Sequence, residues 1–150
     1  MKFRSVILLV FFFGFAVFSG EWYDNYRTAR ADAIKEKKKI LIFFSGSDWN
    51  EPGRRLERDL FKTSEFKRLA AQKYVLYNAD FPKYSRLGQE KEDRNRQLAA
   101  RYGVYRFPAV VIVEPGGGGL LAKQVGFQEV TPKEFFRKLE ATAATAGKSL

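Results

Sequence analysis

Three short apolar runs do most to restrict the folds open to this chain. The runs are Ile40–Phe44, Tyr74–Ala79 and Ala109–Val113, and each has the length of a strand. A strand that is apolar at nearly every position is typical of a sheet covered on both faces. The intervening stretches are long enough for helices and carry apolar residues at helical spacing. This alternation predicts an α/β domain whose sheet has a parallel section.

Helix signals lie between and around these runs. Pro52 suits the first turn of a helix, and Thr63-Ser64 indicates a break followed by a fresh N-cap. Gly103 is placed to cap a helix C-terminus, and Thr131 with Glu134 forms a capping box. The predicted helices are Trp22–Lys37, a segment from Pro52, one after Thr63-Ser64, Glu90–Tyr102 and one from Thr131.

A hairpin closes the domain. Gly116–Gly119 supplies a turn, and Leu120–Val125 returns as a fourth strand. The element order predicts a mixed four-stranded sheet flanked by helices on both faces. We expect the domain to span residues 21–146. Residues 141–150 are expected to fray, with a flexible tail over 147–150.

Residues 1–20 have the three-part pattern of a secretory signal peptide. A cationic start precedes the apolar run Val6–Phe18, and the small residues Ser19 and Gly20 follow. The run is shorter than the ~20 residues that span a bilayer, so we expect cleavage after Ser19 or Gly20. A buried helix and an uncleaved anchor are the alternatives. Cleavage implies export, to the periplasm or out of the cell, of a chain without a transmembrane span.

The sequence contains no cysteine and no histidine. This composition excludes disulfides, thiolate nucleophiles, cysteine-ligated zinc and Ser-His-Asp triads. The carboxylates Asp48, Glu51, Asp59 and Asp80 match no metal-binding spacing. The run Gly116–Gly119 lacks the Lys-Ser/Thr pair of a phosphate-binding loop. We therefore expect neither a metal nor a cofactor.

The order of several segments resembles the thioredoxin superfamily, specifically its exported thioredoxin-like branch. Lys39–Trp49 is similar to the first core strand of that family and its approach to the active site. Leu56–Phe66 resembles its kinked helix, and Leu98–Pro108 resembles the segment that leads to its cis-proline. Ala109–Val125 resembles its last hairpin, and Gly126 the glycine beyond it. The resemblance covers residues 22–140 and implies the thioredoxin-like α/β fold.

The chain departs from this family at the redox motif. Family oxidoreductases carry Cys-x-x-Cys after the tryptophan, and the two cysteine positions fall here on Asn50 and Gly53. Asn50 can cap a helix but cannot form a mixed disulfide, and Gly53 cannot resolve one. The resemblance therefore implies a redox-inactive protein that is not an enzyme.

Without the redox motif, the resemblance still implies a peptide-binding groove. In the family, backbone beside the cis-proline pairs with an extended substrate segment. By this resemblance, Phe107 and Pro108 would offer that edge through a cis peptide bond. Trp49 and Tyr105 would supply apolar contact, and Asn50 would be the polar residue at the bottom of the groove. In the simpler interpretation Trp49 only covers its loop and Phe107 belongs to the core. The expected partner is an exported or envelope protein or peptide, in a chaperone-like or adaptor role.

A basic surface is the alternative site. The formal charge is +10, and it falls to about +8 if Lys2 and Arg4 leave with a signal peptide. Arg54, Arg55 and Arg58 could bind anionic envelope components. They could equally form a solvated face with ion pairs to neighbouring carboxylates. Nucleic acid is disfavoured as a partner, because no nucleic-acid-binding motif accompanies the charge.

Overall fold

A computed structural model of the protein describes residues 20–146. The signal-peptide prediction up to Ser19 and the predicted tail over 147–150 lie outside the described residues. The strands are β1 (Trp22–Tyr23), β2 (Lys39–Ser45), β3 (Tyr74–Asp80), β4 (Ala109–Val113) and β5 (Leu120–Val125). The α-helices are α1 (Tyr26–Lys35), α2 (Glu51–Leu56), α3 (Ser64–Lys73), α4 (Gln89–Tyr102) and α5 (Pro132–Ala146).

The five strands form one mixed sheet in the order β1-β3-β2-β4-β5. Strands β1, β3 and β2 run parallel, and β4 pairs antiparallel with both β2 and β5. The predicted mixed sheet, with its parallel section and closing hairpin, is thus confirmed. No helix within residues 20–146 is long and apolar enough to cross a membrane.

Within residues 20–146 the sheet has five strands rather than the predicted four. The fifth is β1, whose Trp22 and Tyr23 lie beside Leu76 and Tyr77 of β3. The sequence predicts these residues at the start of the helix Trp22–Lys37. Helix α1 instead begins at Tyr26, because the Asn25 side chain caps it by accepting a hydrogen bond from the Thr28 N–H at 3.1 Å.

Strand β2 divides the hydrophobic core into two layers. Its alternate residues Ile40, Ile42 and Phe44 face α1 and α4, and Leu41 and Phe43 face the opposite layer. All five are 2% exposed or less. Complete burial of such a side chain contributes about 1.5–3 kcal/mol, so this strand anchors the helices on both faces.

Helix α2 continues into a π-helical turn over Glu57–Phe61. The Lys62 N–H donates to the Glu57 carbonyl at 2.9 Å, which closes the wider turn. Both Leu60 and Phe61 are buried. The ring of Phe61 lies 4.8 Å from that of Phe66 on α3, and so the turn fits two successive apolar residues into one core layer.

Helix ends follow the predicted signals. Thr63 caps α3 by accepting from the Phe66 N–H at 3.2 Å, and Gly103 ends α4 at φ +62°. Thr131 and Glu134 exchange hydrogen bonds at the start of α5, as a capping box requires. That helix continues to Ala146, so the expectation that residues 141–146 fray is wrong.

Asn95 on α4 is a fully buried polar residue. Its Oδ1 accepts a hydrogen bond from the Tyr77 hydroxyl at 2.6 Å. Its Nδ2 donates to the Asp80 carbonyl at 2.9 Å. These two hydrogen bonds fix α4 against the carboxyl end of β3. The loop that follows β3 begins at this point.

Replacing Asn95 by Ala is expected to lower the free energy of unfolding by about 2–4 kcal/mol, because two buried hydrogen bonds vanish and the Tyr77 hydroxyl loses its acceptor. Urea unfolding monitored by circular dichroism measures the change. Arg96→Ala, at an exposed position on the same helix, is the control and should change stability by about 0.5 kcal/mol or less. Equal losses in the two variants would contradict this role for Asn95.

Candidate functional site

The candidate site lies at the end of the sheet where β2 and β3 finish and β4 begins. Asn50 sits at its centre as the N-cap of α2. Its Oδ1 accepts from the Gly53 N–H at 2.8 Å, and its Nδ2 donates to the Phe107 carbonyl at 3.3 Å. A single side chain therefore joins the helix N-terminus to the loop that precedes β4.

Gly53 provides the space that Asn50 needs. A Cβ atom at position 53 would lie 2.7 Å from the Asn50 Oδ1 and 3.6 Å from the Pro108 Cβ. The first distance is shorter than atoms tolerate, so a side chain at position 53 would push the amide out of its cap. At the two positions where family oxidoreductases carry cysteine, the Asn50 side chain thus occupies space that Gly53 leaves open.

Trp49 is fixed by contacts on several sides. Its Nε1 donates to the Phe81 carbonyl at 2.7 Å, and its ring meets that of Phe107 edge-on at 5.9 Å. The Lys83 ammonium lies 4.0 Å from the ring centroid, a cation–π distance. A Cβ at position 46 would overlap the indole, so the ring lies directly over Gly46.

Asp48 attaches the loop after β3 to this site. Its carboxylate accepts from the backbone N–H groups of Lys83, Tyr84 and Ser85 at 2.8–2.9 Å, and from the Ser85 hydroxyl at 3.2 Å. Loss of surrounding water favours the neutral carboxyl, but these donors outweigh it and hold the pKa of Asp48 below its usual value.

Asp80 plays a similar local role. Its carboxylate accepts from the hydroxyls of Ser45 and Ser47 at 3.0 and 2.5 Å, and from the Ser47 N–H at 2.8 Å. The two serines therefore have a structural partner. Within residues 20–146, no group of three or more acidic residues is arranged to hold a metal ion.

The loop before β4 presents both exposed and buried side chains. The Phe107–Pro108 peptide bond is cis, as the resemblance implied. Tyr105 is 83% exposed, Phe107 is half-buried and Pro108 is buried. Phe107 also packs against the ring of Phe81 at 4.9 Å. Trp49 and Asn50 of the predicted groove thus contact Phe107, whereas Tyr105 is exposed to solvent.

The three arginines predicted as an anion-binding face all have partners in the chain. Arg54 pairs with Glu51 at 2.6 Å, and Arg58 pairs with Asp59 at 2.7 Å. The Arg55 guanidinium lies 4.7 Å from the ring centroid of Phe127. The carboxylates offset two of the three charges, which favours the solvated-face interpretation over a free anion site.

The loop after β3 contributes to the site although no sequence motif predicts it. Phe81 and Lys83 contact Trp49, and this loop is held by Asp48. These contacts join positions more than 30 residues apart, so no local sequence pattern predicts them. The one available signal was Asp48 itself, because an acidic residue beside a turn commonly accepts backbone N–H groups.

A family model described as Thioredoxin-like matches residues 21–115. The chain belongs to the thioredoxin-like family. The match spans α1, the three parallel strands, α2–α4 and β4, and therefore includes every residue of the candidate site.

Similarity to known proteins supports the thioredoxin-like fold of this chain. The disulfide bond reductase DsbH of Chlamydia pneumoniae is 29% identical over 117 residues, covering 70% of each chain. The solved structure of a DsbH oxidoreductase matches with a TM-score of 0.74 at 27% identity, covering 83% of this chain and 84% of that one. The thioredoxin of Thermus thermophilus matches with a TM-score of 0.61 at 19% identity, covering 86% and 91%, and shows the fold alone.

Asp48→Asn is expected to lower stability at pH 7, because the amide cannot accept three backbone N–H groups as the carboxylate does. The pKa of Asp48 is lower in the folded chain than the usual value of about 4 in the unfolded one. Its contribution is therefore fully present above that value and is lost as the pH falls through the folded pKa.

Urea unfolding of both proteins at pH 7 and pH 3 tests this. The variant should lose less stability between the two pH values than the unmodified chain does. Asp59→Asn, at an exposed carboxylate paired with Arg58, is the matched control and should change the pH 7 value less. An unchanged acid dependence in Asp48→Asn would refute the role assigned to this carboxylate.

Proposed function

We propose that this protein is an exported, redox-inactive thioredoxin-like protein that binds an extended segment of another protein or peptide along the Phe107–Pro108 loop. The observation that carries the proposal is the Asn50 bridge. It keeps the helix N-terminus and the loop before β4 in contact without a thiol at either cysteine position. The binding surface of the fold is thereby retained while its reaction is removed.

The backbone at Phe107 supports strand addition. Its carbonyl accepts one hydrogen bond, from Asn50, and a carbonyl oxygen has a second lone pair. In the part of the chain that the structure describes, its N–H has no acceptor. An incoming extended segment can therefore accept from the N–H and donate to the carbonyl, as in β-augmentation.

The rings around this backbone give the segment an apolar surface. Trp49, Phe81 and Phe107 pack on one another and are each half-buried. Tyr105 leaves most of its ring in water. A partly exposed aromatic cluster beside an unpaired backbone N–H suits apolar side chains that alternate along an extended segment.

The reductase activity in the name of DsbH does not carry over to this chain. Thiol–disulfide exchange requires a thiolate that attacks a disulfide sulfur. The sequence has no cysteine, at positions 50 and 53 or elsewhere. Binding in a chaperone-like or adaptor role, to an exported or envelope protein, is the function that the remaining geometry supports best.

The full chain is expected to leave the rate of insulin reduction by dithiothreitol unchanged, since it supplies no thiol pair. Precipitation of the insulin B chain, followed by turbidity, measures this rate. The double variant Asn50→Cys/Gly53→Cys is the matched control, and it should accelerate precipitation if the scaffold is otherwise competent. Acceleration by the unmodified chain would overturn the redox-inactive assignment.

Tyr105→Ala and Phe107→Asp are each expected to weaken binding of a fluorescently labelled unfolded protein by about tenfold or more, because the first removes an exposed ring and the second places a charge in the aromatic cluster. Fluorescence anisotropy gives the dissociation constants. Ile34→Ala is the control, since Ile34 is an exposed apolar residue on α1. Tyr105→Ala removes a largely exposed ring, so its effect is separable from any loss of folding.

A photoreactive residue at position 105 provides the test in the native envelope. Position 105 is preferable to position 50, because the Asn50 side chain is part of the site's internal structure. The expected result is a discrete crosslinked partner that is absent when the same residue is placed at position 34. Identical crosslinking patterns from positions 105 and 34 would contradict a binding role for this loop.

A further inference from the structure

A second concave surface lies at the opposite end of the sheet, between α1, α4 and the turn that joins β4 to β5. It has a volume of about 260 Å³ and is lined by Arg30, Arg94 and Arg101, among others, together with the glycines 116–118. No acidic residue lines it. We call it the arginine cleft. The candidate site lies where β4 begins, whereas the arginine cleft lies beyond the end of β4.

Two of the arginines are held by the turn itself. Arg30 donates from Nε to the Pro115 carbonyl and from Nη2 to the Gly116 carbonyl, both at 2.7 Å. Arg101 donates from Nη2 to the Gly117 carbonyl at 2.9 Å. Three successive backbone carbonyls thus fix two guanidinium groups, which restricts their motion before any ligand arrives.

Gly118 completes this arrangement. It has φ +68°, which favours glycine, and a Cβ there would lie 2.6 Å from the Arg101 Nη2. Its carbonyl accepts from the Tyr102 hydroxyl at 3.1 Å. The turn is therefore shaped closely around the guanidinium of Arg101, although the sequence alone predicts only a hairpin turn there.

The three guanidinium groups of the arginine cleft lack carboxylate partners among the residues that the structure describes. Across residues 20–146, neither Arg30, Arg94 nor Arg101 takes part in a salt bridge. Arg94 donates to the side-chain oxygen of Gln97 at 3.2 Å. Arg96 on the same helix does pair with Asp93. Neutral acceptors orient a guanidinium but leave its charge in place, so like charges accumulate in this cleft.

We infer that the arginine cleft binds a tetrahedral oxyanion, namely the phosphate or sulfate group of a small ester or of a lipid headgroup. A planar carboxylate is matched by the fork of one arginine. Three guanidinium groups from two helices line the cleft, and their remaining N–H donors suit the several oxygens of a tetrahedral anion. The volume lies just below the range of small-molecule sites, which fits a headgroup-sized ligand.

Titration of the full chain with inorganic phosphate at low ionic strength, followed by calorimetry, tests the inference. Arg94→Gln is the informative variant, because Arg94 lines the cleft without holding the turn. It should weaken phosphate binding by about tenfold or more, the scale of one charge-assisted contact. Arg96→Gln, two residues away on the same helix, should leave binding within about twofold.

Nuclear magnetic resonance of the unmodified chain gives a reading that does not depend on the stability of a variant. Phosphate should shift the backbone amide signals of residues 116–118, and sodium chloride at the same ionic strength should not. Absence of phosphate binding, equal shifts with chloride, or unchanged binding in Arg94→Gln would each overturn the inference.

Vesicles separate the two sources of the anion. Phosphatidylglycerol vesicles that bind the chain, lose binding with Arg94→Gln and are displaced by phosphate would support a lipid headgroup. Phosphate binding without vesicle binding would support a soluble ester. Vesicle binding that Arg94→Gln fully retains, with no effect of the substitution on phosphate, would overturn the inference. The peptide site has its own variants, so failure at one site is distinguishable from failure at the other.

Discussion

Burial of β2 on both faces is the constraint on which the rest of this structure depends. The strand pairs with β3 on one side and β4 on the other, and its residues Ile40–Ser45 are all buried. Helices on each face are held by alternate side chains of this one strand. The same strand ends in the loop that carries Trp49 and Asn50. Apolar packing far from the surface therefore sets the position of the candidate site.

The candidate site depends on this scaffold and on one amide. In a thiol-dependent member of the family, the helix N-terminus stabilises a thiolate. Here the side chain of Asn50 accepts from that helix N-terminus and donates to Phe107. Asn50, a residue without redox chemistry, thus provides the hydrogen-bond partner of the Gly53 N–H and of the Phe107 carbonyl. Within residues 20–146 the Phe107 N–H has no acceptor and the Tyr105 ring is exposed, and the proposed binding of an extended segment rests on these two features.

Much of the fold could be predicted from sequence, because its strands are continuous apolar runs and its helix ends carry their own caps. Thr63, Gly103 and the Thr131–Glu134 pair act as local patterns indicate. The two-residue strand β1 could not be predicted, since it is defined by a partner strand more than 50 positions away. Which arginines pair with carboxylates and which contact neutral backbone groups could not be predicted from sequence either, because some of these contacts are long-range. Arg54 and Arg58 have local carboxylate partners, whereas Arg30 reaches a turn 85 residues away.

The fit between Asn50 and Gly53 makes the two positions dependent on each other. A side chain at position 53 collides with the Asn50 amide as long as that amide caps α2. Position 53 can gain a side chain only after position 50 has changed or moved. A single substitution at position 53 is therefore expected to cost the Asn50 cap, whereas a joint substitution at positions 50 and 53 avoids that clash. Asn50 in its capping position therefore excludes a cysteine, or any other side chain, at position 53.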